Sequence, residues 1–309
     1  MRNTAINQID FLAAADKRIC LMTADLGYNV LTPFMEHYPD RYFNVGISEQ
    51  AMTAMAAGMA LEGQIVFTYS IGNFPTLRCM EQIRNDICYH NANVKIIALG
   101  GGFAYGQLGM SHHATEDIAA MRALPNMRVF VPADPTETRA AVTAACETDG
   151  PCYIRLGRGG EKSLHAEKEI EDIHRIQMLS KHGTVNILSI GSVAEEAVAS
   201  ANLLYSQGVC VGVYTVPTIK PIDRTGILEV ASTSACLLTL EEHNVVGGLG
   251  SAVADLLAET GGVHAPLIKL GLQDVYPSIV GSQQYLRDYY GFSAEKIVKR
   301  ILEWKGGAE

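Results

Sequence analysis

The chain has 309 residues, 48% apolar and 18% charged, and its net charge of −9 is spread along its length. This is a globular composition, long enough for two domains, and the absence of a basic stripe argues against nucleic acid as a partner. No run approaches the roughly 18 apolar residues of a membrane span, and the opening "MRNTAINQIDFLAAADKR" lacks a signal-peptide layout. The seven cysteines form no C-x-x-C pair, so reduced thiols and a cytoplasmic protein are expected.

Short apolar runs alternate with helical patterns. In the first half, strands are expected at 19–24, 64–69, 94–100, 128–133 and 152–156, with helices near 4–15, 49–62, 76–90, 116–124 and 135–147. The last helix carries a strong start signal: Asp134 as N-cap, Pro135 at the first helical position and Glu137 to complete a capping box. The stretch 157–177 is charged, has little apolar periodicity, and reads as a linker or surface excursion. Alternation resumes with strands at 185–190, 209–216, 236–242 and 266–272 and helices near 193–206, 247–260 and 294–304. The expected fold class is α/β, with two open, mostly parallel sheets. The domains are expected over 1–165 and 181–309, joined by a linker at 166–180.

Two stretches point to chemistry. In "NVGISEQAMTAMAAGMALEG" (44–63) the helix is apolar or small on every face, which marks a buried helix. Ser48 can cap it, and Glu49 falls in the first turn, where the helix dipole favours a carboxylate. Two readings stay open on the residues alone. Glu49 satisfies backbone N–H groups, or it is a carboxyl held in an apolar pocket, able to share a proton with a bound base. The second stretch, "GGGFAYGQLGMSHH" (100–113), is a glycine-rich loop after a strand. Such loops commonly hold site residues in open α/β sheets, and their glycines let the backbone approach a ligand. The adjacent His112 and His113 do not suit one metal ion, and no third ligand stands near, so no metal site is expected on this chain.

Six ordered segments decide between these readings: "ADLG" (24–27), "GISEQ" (46–50), "EQIRND" (81–86), "GQLGMSHHATEDIAAMRALPNM" (106–127), "VPADPTET" (131–138) and "YIRLGRG" (153–159). With them the chain resembles the C-terminal half of transketolase. It is most similar to the small subunit of split transketolases, and the likeness covers nearly its whole length. The resemblance implies a thiamine diphosphate pyrimidine-binding domain followed by a transketolase C-terminal domain. Glu49 then falls on the glutamate that hydrogen-bonds pyrimidine N1′ and drives the amino group to its imino form. Phe74 falls on the ring-stacking phenylalanine; read alone it is a core residue between strand and helix. Ile47, Ile71 and Leu77 fall around the same pocket. Asp25 matches an aspartate near the cofactor and subunit interface, with a cap or turn residue as the alternative. His112 matches the histidine that faces the reacting carbons, against a plain loop histidine. Arg158 matches the arginine that holds a substrate phosphate, with Arg155 as the alternative clamp.

The departures fall in the substrate pocket, where Asn29, Gln107 and His113 are the remaining expected contacts. Leu108 replaces an aspartate that reads a hydroxyl of the ketose donor. Gly100 stands where a histidine is usual, Asn29 where a phosphate-binding serine is usual, and His113 where a glutamine is common. No G-D-G motif occurs. The diphosphate and Mg²⁺ are therefore expected on a partner subunit equivalent to a transketolase N-terminal half, in an α₂β₂ assembly, with self-dimerisation of this chain. A lone Gly-x-Gly near 248–250 is a weak dinucleotide signal. The expected reaction moves a two-carbon ketol unit from a ketose or ketose phosphate to an aldehyde. The alternatives are acyl transfer from pyruvate or another 2-oxo acid, as in deoxyxylulose-phosphate synthase, and a non-catalytic subunit that keeps the fold.

Overall fold

The computed structural model describes residues 1–165, 169–262 and 264–307. Part of the expected linker, 166–168, lies outside them. Twelve strands are present among the described residues: β1 (Ile19–Thr23), β2 (Tyr42–Asn44), β3 (Ile65–Ile71), β4 (Val94–Leu99), β5 (Arg128–Phe130), β6 (Cys152–Leu156), β7 (Gln177–Ser180), β8 (Val185–Ile190), β9 (Val211–Thr215), β10 (Thr218–Lys220), β11 (Cys236–Asn244) and β12 (Leu267–Leu272). They form a seven-stranded sheet in the order β10-β5-β6-β4-β3-β1-β2 and a five-stranded sheet in the order β12-β11-β8-β9-β7. Every pairing is parallel except β10 with β5 and β7 with β9. The central strands β1, β4, β6 and β8 are buried throughout, as continuous Val/Ile/Leu runs should be when helices cover both faces.

Strand β7 falls inside the expected linker, and β2 and the helices Thr32–His37, Arg224–Thr233 and Gln283–Tyr289 match none of the expected elements; three further departures bear on the site. Strand β10 follows a stretch of the second sheet yet pairs with β5 of the first, so the two sheets are tied by backbone hydrogen bonding. It has three residues, too few for periodicity to reveal. The helix expected over 76–90 is broken into a 3₁₀ turn (Leu77–Cys79), a short α turn (Met80–Gln82) and a π-helical segment (Ile83–Cys88). π segments are frequent at functional sites, and this one follows closely in the chain on the turn that carries Arg78. The helix Glu49–Leu61 is not buried on every face. Met52, Thr53, Ala56, Ala57 and Ala60 pack inward, while Ala51, Ala54, Met55, Gly58 and Leu61 are exposed along one stripe.

The start of the helix Pro135–Glu147 follows its signal. Asp134 accepts the Glu137 N–H at 2.8 Å, and Glu137 reaches back to the Ala133 N–H at 2.7 Å, one residue beyond a standard capping box. Among the described residues no helix is long and apolar enough to cross a membrane.

Candidate active site

The candidate residues leave the carboxyl ends of parallel strands of the first sheet. Asp25 follows β1, Phe74 follows β3, the loop 100–113 follows β4, and Arg158 follows β6. That rim is where open α/β sheets bind ligands.

Glu49 sits at the N-terminus of its helix and is 3% exposed. Its Oε2 accepts from Arg78 Nη1 at 2.8 Å. The Arg78 guanidinium lies over the Phe74 ring, 4.4 Å from its centre. His112 meets the Phe74 ring edge-on at 5.2 Å, and its Nδ1 lies 3.0 Å from Ser111 Oγ. Burial, then the neighbouring His113, pushes the His112 pKa down, which favours the neutral, proton-accepting imidazole near pH 7. Glu49, Phe74 and His112 are thus brought together. Ile71 is half-buried at the end of β3. Ile47 stands exposed just before the helix, and Leu77 is exposed beyond Phe74.

Asp25 has a left-handed backbone (φ 55°). Its carboxylate accepts from Tyr28 Oη at 2.9 Å and Asn44 Nδ2 at 3.1 Å, while its N–H donates to Asn44 Oδ1 at 3.0 Å. These bonds join the loop after β1 to the end of β2. Asn29, also left-handed (φ 62°), is exposed in that loop.

Beside Tyr105 opens a cavity of about 600 Å³, walled in part by Arg2, Gln107, Leu108, Arg158 and Gln283. Tyr105 lies between His112 and Arg158, at 6.3 Å and 6.0 Å from its ring centre. Its ring also explains Gly100: a Cβ there would overlap the Tyr105 ring, and φ is +79°. A side chain at position 100 is therefore replaced by one reaching back from position 105.

Two expectations find no support in this geometry. His113 is fully buried, with Nε2 3.1 Å from the Gly106 carbonyl and its ring against Phe103. It braces the loop instead of facing the cavity. Arg155 is locked inside, donating to Asp117 at 2.8 Å and to the carbonyls of Ala114 and Glu242, so it is not free to clamp an anion.

Sequence reasoning missed Arg78, Arg2 and Gln283. Arg78 meets Glu49 only because of the 3₁₀ turn after Phe74. Arg2 and Gln283 lie far from the loops they join, and no local pattern marks them.

Residues 1–160 match the transketolase pyrimidine-binding domain family, and residues 174–297 match the transketolase C-terminal domain family. A subunit of the apulose-4-phosphate transketolase of Actinobacillus succinogenes is 35% identical over 88% of this chain and 87% of its own. The 6-deoxy-6-sulfo-D-fructose transketolase subunit of a Clostridium species is 34% identical over 98% of this chain and 94% of its own. A solved split gene transketolase, an inactive β4 tetramer, superposes with a TM-score of 0.86 at 38% identity, covering 98% of this chain and 96% of that chain. The chain therefore belongs to the transketolase family and spans its pyrimidine-binding and C-terminal domains.

Proposed function

We propose that this chain is the pyrimidine-binding subunit of a two-component, thiamine diphosphate-dependent transketolase. The observation that carries the reading is the arrangement of Arg78 between Glu49 and Phe74. A planar N–H donor already lies against an aromatic face and bonds a buried carboxylate. An aminopyrimidine ring presents the same features, a flat π-face and a nitrogen edge that can bond a carboxyl group. Arg78 is about half exposed and can turn outward, so the residues present fit the cofactor's ring.

When bound, thiamine diphosphate supplies a carbon nucleophile for cleaving and forming bonds next to a carbonyl. This chain's own residues bind and orient its ring. Glu49 holds a proton at the ring nitrogen, Phe74 fixes the ring plane, and the apolar helix mouth excludes water from the pair. Ile47 and Ile71 flank the ring, and Asp25 orders the loop beside it. His112, neutral near pH 7, accepts or returns a proton at a substrate hydroxyl. Arg158, assisted by Arg2 on the same cavity, holds an anionic end of the substrate, with Gln107 and Asn29 along its path. The two relatives named above act, by their names, on a phosphate and a sulfo sugar, and both substrates carry such an anion.

The partner is a transketolase N-terminal-half subunit that holds the diphosphate and Mg²⁺, in an α₂β₂ complex in the cytoplasm. The exposed stripe Ala51, Ala54, Met55, Gly58 and Leu61 next to Glu49 supports a chain interface there, because small residues let another backbone approach closely. The test is reconstitution with such a subunit. Ketose consumption without CO₂ release is expected, and CO₂ release from pyruvate would replace ketol transfer by acyl transfer.

A further inference from the structure

Given the ketose-transfer reading above, on which this inference rests, we propose that Gln283 of the second domain is a specificity-determining residue, presenting a fixed hydrogen-bond acceptor to a substrate hydroxyl. Gln283 is half-buried and lines the cavity that also holds Arg2, Arg158 and Leu108. Its Nε2 lies 2.9 Å and 3.3 Å from the two oxygens of Glu242. A carboxylate with this many donors around it can only accept, so the amide must turn its NH₂ inward. The Glu242 oxygens also accept the Phe103 N–H at 2.5 Å and Arg287 Nε at 2.5 Å. Arg287 is in turn held by Glu195 and by Ser192 Oγ at 3.1 Å. The amide cannot flip without setting its oxygen against Glu242.

The remaining atom, Oε1, accepts no hydrogen bond among the described residues, and the side chain that carries it lines the cavity. The cavity carries its free positive charge on Arg2 and Arg158, because Glu161 on the same wall is paired with the N-terminal ammonium and Glu195 with Arg287. An anionic polyol enters with its anion toward the arginines and its hydroxyls toward the second domain. There a locked acceptor receives an O–H and disfavours a carbonyl or ether oxygen at that place. Leu108, on the same cavity, offers no polar atom, so Gln283 supplies acceptor capacity that the loop itself lacks.

The same network couples the second domain to the loop of His112. Glu242 holds the Phe103 N–H, Gly281 donates its N–H to the Gly106 carbonyl at 3.3 Å, and a Cβ on Gly102 would clash with Glu242. Gln283 therefore reads substrate from a scaffold that also fixes the loop, which is what a specificity contact requires.

The experiment uses the complex reconstituted with an N-terminal-half subunit and compares wild type with Gln283→Met. The probes are D-fructose 6-phosphate and its 4-deoxy and 5-deoxy analogues. Loss of one neutral hydrogen bond predicts a KM for D-fructose 6-phosphate about five- to tenfold higher in the variant, with kcat changed by less than about twofold. Wild type should discriminate against one deoxy analogue, and the variant should not. Inhibition by inorganic phosphate should stay unchanged, and Leu108→Asp in the variant should restore part of the lost donor affinity. An active wild-type complex whose Gln283→Met variant keeps the same KM and discrimination would overturn the inference alone. Parallel loss of phosphate inhibition would also overturn it, making Gln283 structural. A wild-type complex that consumes no ketose would overturn the ketol-transfer reading, and this inference with it.

Discussion

Arg78 donates from Nη1 to the buried Oε2 of Glu49 at 2.8 Å while its guanidinium covers the Phe74 ring at 4.4 Å. One side chain thus occupies both contacts proposed for the cofactor's ring. Because Arg78 is half exposed, its pair with Glu49 is worth no more than about 1 kcal/mol. Arg78→Ala is expected to tighten thiamine diphosphate binding to the reconstituted complex by up to about fivefold, since that bond no longer competes. Calorimetry of wild type against variant measures it. Weaker binding in the variant would make Arg78 a contributor to the site instead of an occupant.

Glu49→Gln keeps the shape and replaces the carboxyl group by an amide. Turnover of the complex should fall by roughly 10² or more, the usual scale for a proton-transfer group, while the melting temperature changes little. Exchange of the thiazolium C2 proton, followed by NMR, should slow in step with turnover. Full activity in the variant would remove Glu49 from the chemistry.

The core strands and the Glu49 helix were legible because their signals are local: continuous apolar runs, and a carboxylate at the mouth of a small-residue helix. The proposal for His112 comes from the resemblance of its segment to the family motif, because the glycine-rich loop alone marks both histidines equally. Arg78 was not, because its role depends on a 3₁₀ turn and π segment where the pattern reads as one regular helix. The fully buried place of His113 was also hidden. Two adjacent loop histidines look alike in sequence, and only packing against Phe103 and Gly106 separates them. Strand β10 is too short to show itself, and Gln283 lines a cavity together with residues distant in the chain, where no local spacing reaches.

Gly100→Ala would push a methyl group into the Tyr105 ring at a backbone angle that favours glycine. A loss of about 1–3 kcal/mol is expected, together with a raised KM as Tyr105 moves between His112 and Arg158. Denaturant melts and steady-state kinetics on the same variant test both.

A buried cluster couples the segment after β6 to pH. His165 Nδ1 lies 3.0 Å from Asp134 and its Nε2 3.4 Å from Glu137. Burial opposes its charge, but the Asp134 hydrogen bond and the two carboxylates outweigh it and raise its pKa above the usual 6.5. Burial lifts Glu137 to about 7. For both groups the stabilisation is present at low pH, below the unfolded pKa, and is lost as pH rises through the folded value. Asp134 has the opposite sign. Burial raises it, but His165 and the Glu137 and Leu164 N–H groups bring it to about 2, so its contribution is lost only as pH falls through that value. This cluster's contribution to stability should therefore decline as pH rises from about 4.5 past 7, so that the melting temperature of His165→Gln, measured against wild type, should fall less above about pH 6.5. An unchanged profile in the variant would exclude this pairing.

The central claim is that the cofactor's ring is held here while its diphosphate and metal are held by a partner. Calorimetric titration of thiamine diphosphate and Mg²⁺, first into this chain alone and then into its complex with an N-terminal-half subunit, tests that division most directly. Tight binding only in the complex, followed by ketose consumption, is the expected result. Tight, Mg²⁺-dependent binding to this chain alone would contradict it.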